Sequence, residues 1–433
     1  MSPAIQDREW RLRQATHASF GHTLNHRQVF ASSGKAACFD TRNADAEIIS
    51  TDRIGCLFLE SGETSWVYRV DNATPFGPGV GAVSCHPLLD RAIFIHGLRD
   101  CDATKPYGAT RRFGALLDTQ HSTQTVRHAE ARCVDLDPPF GALRGGTHAY
   151  SWSADGRAIS FTYNDARVEE RYHAGIGPPD LRTVGVMWTD HPVEVAVHDS
   201  GNFSGACRAM IVASVNHVLK PGTDTIESAR EECFLGASSL AVAFIGRVRT
   251  RCGDAIDEVF VARWPQNAPS MNPSDSVDED GRLLPPECVH VARVTRSENQ
   301  KYPGVQGPRA WLIASPDGRT VYCPMRDDAG IVQVASVDVL TGETDWITRL
   351  KVSLASPLAI DRTGTQISLM SDGRIGILDP MSREMHWSPD WRDKVEFSWG
   401  AYHFLPDRSG LLFHGYPRNS QARWQQLWTA TLH

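Results

Sequence analysis

The chain has 433 residues, 41% hydrophobic and 22% charged, a balance normal for a soluble protein with a real core. Its net charge of −7 is spread along the chain without a Lys/Arg run, so nucleic-acid binding has no electrostatic support. Met1–Trp10 lacks an apolar signal-peptide segment, no apolar run reaches membrane-spanning length, and the ten cysteines are scattered without a Cys-x-x-Cys, which together point to a cytoplasmic protein that does not engage a membrane.

Residues 1–9 are expected to be flexible, and Trp10–Thr16 reads as a short strand with no partner nearby in sequence. From His22 onward one unit recurs, a β-hairpin closed by a polar turn. The clearest copy spans 143–165: a strand from about Thr147 to Trp152, a turn at Ser153-Ala154-Asp155-Gly156, and a return strand Ala158–Thr162. Weaker copies cover 29–39, 83–94, 310–322, 358–369 and 402–413. The turn glycines Gly318, Gly364 and Gly410 are spaced 46 residues apart. A hairpin in every unit of that length marks a propeller blade, and about seven blades fit the chain. The expected fold is therefore all-β, a single seven-bladed β-propeller over 10–433. Pairing of Trp10–Thr16 with the last strand, Gln426–Leu432, would close the ring and remove two sheet edges.

Blade one is expected from His22 to about Val70, blade two from near Gly79, and blade three around the 143–165 hairpin with Val193–Val197 in its outer part. Blade four is the least regular. It is expected to start at Cys207–Ser214, to carry a helical excursion over Asp224–Cys233 with Asp224 as N-cap, and to end at Val289–Val294. The Pro-, Ser- and Asp-rich stretch 265–287 reads as a mobile loop within it. Cys38, Cys56 and Cys323 lie in strand patterns and read as small buried hydrophobes, while a disulfide between Cys101 and Cys133 stays open.

The start of the first strand and the end of the second strand of an antiparallel pair lie together. One end of the central channel should thus collect His22, Asp40, Arg42, His96, Arg99, Asp100, Arg144, His148, Tyr163, Asn164, Asp165, Gln306, Arg309, Arg326, Asp327, Asp328 and His414. Each has an ordinary structural reading: the aspartates as turn acceptors, the arginines as their ion-pair partners. Three histidines together carry more information, because imidazole serves both as a metal ligand and as an acid–base group near neutrality. His22, His96 and His148 are accordingly the candidate ligands of a divalent metal (manganese, zinc or calcium), with no His-Glu-x-x-His motif to support them from spacing. His148, Tyr163, Arg144, Arg309 and Arg326 form a set sufficient for removing a proton α to a carboxylate, neutralising the charge and protonating a leaving oxygen.

The blocks Gly79–Pro87, Ile93–Gly97, Leu143–His148, Ser160–Asp165, Tyr302–Gly304 and Met325–Gln333 resemble, in order, the YidR-like family of bacterial proteins, itself a domain of unknown function. Trp10–Thr16 is similar to the strand that ends each blade of TolB-type propellers. Phe94-Ile-His-Gly97 and His148–Gly156 are more distantly similar to blocks of the oligogalacturonate lyases, cytoplasmic seven-bladed propellers with a histidine-rich manganese site that cleave uronate disaccharides by β-elimination. What that resemblance implies is a metal-dependent carbon–oxygen lyase, or related enzyme, acting on a small acidic saccharide in the channel. His96 and His148 are the positions that carry over, and the paired-histidine block of the lyases has no match here. The alternative is a non-catalytic TolB-like propeller that binds a protein partner or ligand; fold alone selects neither, since propellers host both.

Overall fold

A computed structural model describes residues 9–120, 125–135, 138–196, 201–270, 277–418, 421 and 423–433. The hairpin at 143–165 shows how each unit forms. Gly145–Trp152 and Ala158–Asp165 pair antiparallel. Between them Gly156 takes φ +69°, and the Ser153 hydroxyl donates to Asp155 at 2.6 Å. Thr183–Trp188 and Arg208–Ile211 add on the outside, completing a four-stranded sheet.

Six further sheets repeat this order, so the chain is a seven-bladed propeller. Blade one is Ala36–Asp40, Arg53–Phe58 and Thr64–Arg69, with residues 23–30 bridged to its inner edge. Blade two is Val80–Cys85, Arg91–Gly97, Arg112–Asp118 and Arg127–His128. Blade four is Ser228–Phe234, Ala241–Arg249, Ala255–Arg263 and His290–Arg293. Blade five is Ile313–Ala314, Thr320–Arg326, Val332–Asp338 and Thr344–Trp346. Blade six is Ala359–Ile360, Ile367–Ser371, Arg374–Leu378 and Met385–Trp387. In blade seven, Val395–Phe397 and His403–Phe404 share the inner side of Gly410–Pro417, and Gln426–Leu432 follows. Its outermost strand is Trp10–Gln14, in register from Trp10 opposite Leu432 to Gln14 opposite Trp428. The ring is closed by the two ends of the chain, as expected from the unpartnered first strand.

The core lies between blades. Tyr68 of blade one packs on Phe94 of blade two at 5.1 Å, and both are fully buried. All ten cysteines are free thiols, Cys101 and Cys133 among them. Cys38 and Cys56 face one another across adjacent strands with sulfurs 2.9 Å apart.

Blade four departs from expectation. Residues 224–233 are not helical: Ser228–Phe234 is the blade's inner strand, with Ala229 and Cys233 buried. Asp224 caps nothing there, because its carboxylate is held by Arg293 and Arg296. Arg208–Ile211, expected to open blade four, instead ends blade three, and Val193 makes a single bridge to Gly205 instead of an outer strand; residue 197 lies outside the described residues. Tertiary pairing outweighs a local helical pattern here. Of the 265–287 stretch, residues 271–276 lie outside the described residues; on either side Ala268 and Pro269 are buried and Arg282 is 5% exposed. Residues 1–8 also lie outside, and Glu9 exchanges backbone hydrogen bonds with His433.

The inner strands share one irregularity. Gln28, Ala82, Ala149 and Glu231, in blades one to four, all take φ between +50° and +60°. In blades two, three and four the pairing register slips at this point, the signature of a bulge, which re-aims neighbouring side chains. Among the described residues, no helix is long and apolar enough to cross a membrane.

A variant lacking residues 1–15 is expected to expose the edge of Gln426–Leu432, lower the thermal midpoint and aggregate with rising concentration. Calorimetry with light scattering checks this, and an unchanged midpoint would contradict closure by the terminal strand.

Candidate active site

The bulged inner strands surround a pocket of about 360 Å³ in the channel, and all seven blades contribute to its wall. Larger grooves exist on the outside of the ring, but each lies between two neighbouring blades. On the hairpin-turn side, blade one crosses the channel. Arg27 Nη2 donates to the Leu312 carbonyl of blade five at 2.5 Å. Gln28 Nε2 donates to the Trp152 carbonyl at 2.8 Å, and its Oε1 accepts from Trp152 N–H and the Ser84 hydroxyl. These bonds tie blade one to blades two, three and five.

Guanidinium groups dominate the wall: Arg42, Arg112, Arg182, Arg230 and Arg309. Three have carboxylate partners. Arg42 holds the fully buried Asp40 through Nε at 2.8 Å and Nη2 at 2.9 Å, and Asp40 also accepts from Ala82 N–H. Arg309 pairs with Asp45, and Arg230 with Asp257 at 2.5 Å. Arg112 and Arg182 have no carboxylate partner among the described residues. Arg112 is 9% exposed; it donates weakly to the Tyr107 hydroxyl at 3.4 Å, and its Nε has no partner.

Aromatic rings fill the rest. Trp399 lies 5.5 Å from the Arg42 guanidinium and 5.1 Å from that of Arg309, within cation–π range. Trp311 stacks on His26 with centroids 3.6 Å apart and planes 11° from parallel. His148 faces the pocket with Nδ1 unpartnered. Burial first, then Arg112 and Arg182, hold its pKa well below the ordinary imidazole value, so it is neutral. His26 is likewise held neutral by burial and by Arg27 and Arg309.

Of the residues expected at the channel, Arg42, His148 and Arg309 line the pocket and Arg144, Tyr163 and Arg326 do not. Arg144 and Asp165 form a buried ion pair at 2.7 Å; the Tyr163 hydroxyl donates to the same carboxylate and accepts from Arg144 N–H, both at 3.1 Å. Asp165 also caps the helix Ala166–His173 through Arg167 and Val168 N–H, so this network is structural. Arg326 is exposed, over the Tyr302 ring at 5.9 Å. Asp327 accepts from turn N–H groups of Ala329 and Ile331.

The metal trio does not converge. His96 is fully buried between blades: its Nε2 meets the Tyr68 hydroxyl at 2.8 Å, its Nδ1 the Gly97 carbonyl at 2.5 Å, and its ring stacks on Phe113. His22 lies between Phe20 and Phe39, with both centroids at 4.6 Å. Burial lowers the pKa of each to about 4. Among the described residues no three His, Cys, Asp or Glu side chains gather as a metal-holding group. The reason is geometric: second-strand side chains alternate between the two faces of a blade, so they point towards neighbouring blades. Arg112, Arg182, Arg230, Glu231, His26 and Trp399 were not expected; a signal existed in the register break shared by the inner strands, but no residue pattern announces a bulge.

Residues 79–203 match the family described as "Protein of unknown function (DUF3748)". A protein of Escherichia coli K12 named "Uncharacterized protein YidR" is 29% identical over 390 residues, covering 88% of this chain and 89% of YidR. The resemblance to the YidR-like family is borne out. Among solved structures, an oligogalacturonate lyase in complex with manganese is similar with a TM-score of 0.55 at 12% identity, over 98% of this chain and 93% of that one. Oligogalacturonate lyase from Vibrio parahaemolyticus is similar with a TM-score of 0.54 at 10% identity, over 98% and 97% of the two chains. At such identities the likeness is one of fold. The chain shares the lyases' propeller fold, while its described residues do not supply a histidine metal site.

If Arg144 is structural, Arg144→Ala leaves Asp165 buried without its ion partner and should cost about 3–5 kcal/mol of stability. Urea denaturation measures this; a cost under about 1 kcal/mol, the worth of an exposed pair, would contradict the assignment.

Proposed function

We propose that the protein is an enzyme that takes a small acidic, uronate-type saccharide into the channel pocket and cleaves a carbon–oxygen bond by β-elimination. One observation carries this reading: Arg112 and Arg182 flank a neutral His148, and neither is held in an ion pair by a carboxylate among the described residues. Guanidinium binds carboxylate bidentately, and a desolvated pocket strengthens the pairing. A ligand carboxylate here would give both guanidinium groups a direct ion-pair partner. Trp311 and Trp399 offer flat apolar faces for a sugar ring.

The chemistry follows from the same placement. The C5–H bond α to the uronate carboxylate breaks and its proton passes to a base on the wall. The electron pair moves into the carboxylate as an enolate-like dianion, then forms the C4–C5 double bond as the C4–O bond breaks. The departing oxygen takes a proton, giving an unsaturated uronate and a saccharide hydroxyl. Arg112 and Arg182 stabilise the charge that develops. His148 stays neutral and hydrogen-bonds beside them. Manganese belongs to the solved lyase; here the described side chains do not form a comparable ligand set, and no step is assigned to a metal.

Incubation with di- and trigalacturonate should produce the ultraviolet absorbance of a conjugated unsaturated uronate. Arg112→Met and Arg182→Met should each weaken binding roughly ten- to a hundredfold, the worth of a charged hydrogen bond. Binding unaffected by both substitutions would refute the anion pocket, and tight binding without turnover would favour a non-catalytic binding propeller.

A further inference from the structure

We infer that Glu231 is the pocket's proton acceptor, a role that rests on the acid-binding reading above. Glu231 occupies the bulge position of blade four at φ +60°, a conformation side chains rarely adopt. The same position is alanine in blades two and three, Ala82 and Ala149, which leave the pocket open. In blade one it is Gln28, whose polar atoms are spent on Trp152 and Ser84. Glu231 alone among these four brings a carboxylate to the pocket wall. Its Oε2 is buried and no partner satisfies it. A strained backbone holding a buried acid without a hydrogen-bond partner has no structural return, which is the pattern of a functional group.

The groups facing it are Arg230, Glu232 and Asp257 of its own blade, Arg182 of blade three and Arg27 of blade one. Burial raises the Glu231 pKa to about 7, against the pull of Arg230, Arg27 and Arg182. A base of that strength is matched to neutral pH. His148 is not: its imidazolium would stand among guanidinium groups, and its pKa lies well below the ordinary value. In the elimination, the C5 proton passes to a Glu231 oxygen and the carboxylate becomes a neutral acid.

The sign of the pH effect follows. A bound anion favours protonated Glu231, so anion binding takes up a proton near pH 7 and weakens as pH rises through about 7. Turnover needs the ionised form and rises over the same range.

The test uses the full chain dialysed against a chelator, with D-galacturonate and malonate as probes. Calorimetry in buffers of different ionisation enthalpy counts protons. The wild type should take up a fraction of a proton near pH 7. E231Q should take up less and bind at least as tightly; glutamine already holds this backbone conformation at Gln28, so the variant should fold. Burial also raises the Glu232 pKa to about 7, but its carboxylate accepts from the Thr162 hydroxyl and lies outside the pocket lining. E232Q should therefore share in the loss of proton uptake and keep its turnover. With digalacturonate, E231Q should keep its affinity and lose roughly 10²–10⁴-fold in turnover. Unchanged proton uptake or unchanged turnover in E231Q overturns the assignment, as does binding that appears only after manganese is added. If malonate binds with Glu231-linked uptake and galacturonate does not, the saccharide reading fails and the assignment stands. If neither anion binds, both fail.

Discussion

A ring of sheets must close on itself, and the rest of this structure depends on that closure. Each blade buries its faces against two neighbours, so an unpaired end would leave both a sheet edge and an apolar face in water. The chain solves this by giving its first strand, Trp10–Gln14, to its last blade. Blade one is then tied to blade seven a second time, through Leu24 N–H to His414 Nδ1 at 3.1 Å and His403 Nε2 to the Asn25 carbonyl at 2.9 Å. Burial lowers the pKa of these two histidines to about 3 and about 4, so they act as neutral hydrogen-bonding groups at the seam. With the ring fixed, seven inner strands converge on one axis, and the channel lining is set by whichever residues those strands carry.

Two features turn this lining into a site. The crossing of Arg27 and Gln28 ties blade one to blades three and five across the channel. The excess of guanidinium over carboxylate gives the pocket a sign. Asp40, Asp45 and Asp257 pair with three arginines, while Arg112 and Arg182 form no ion pair among the described residues and the carboxylates of Glu231 and Glu232 share the field of Arg182. Positive charge gathered in one enclosed place, within a chain of net charge −7, focuses the field on an acidic ligand.

The fold was legible because its signals are local and repeated: polar turns such as Ser153–Gly156, the regular spacing of Gly318, Gly364 and Gly410, and a first strand without a partner. The site was legible only in part. Arg42, His148 and Arg309 follow from their place at the inner hairpins, and all three line the pocket. Tyr163, His96 and Arg326 were assigned to the channel by their place at the ends of second strands, whose side chains turn to the faces between blades or to solvent. Arg112 and Arg182 come from the entries of third strands and Arg230 from beside the blade-four bulge, with no shared motif; only the closed ring brings them together. Glu231 was hidden in a stretch whose acidic, helix-like pattern concealed a bulged inner strand.

The most direct measurement is a crystal structure of the protein with digalacturonate at neutral pH. The account predicts a uronate carboxylate between Arg112 and Arg182, within hydrogen-bond reach of both, with the sugar ring against Trp311 or Trp399. A saccharide seated in a groove between outer strands, or a carboxylate held by a metal ion with both arginines turned away, would contradict it.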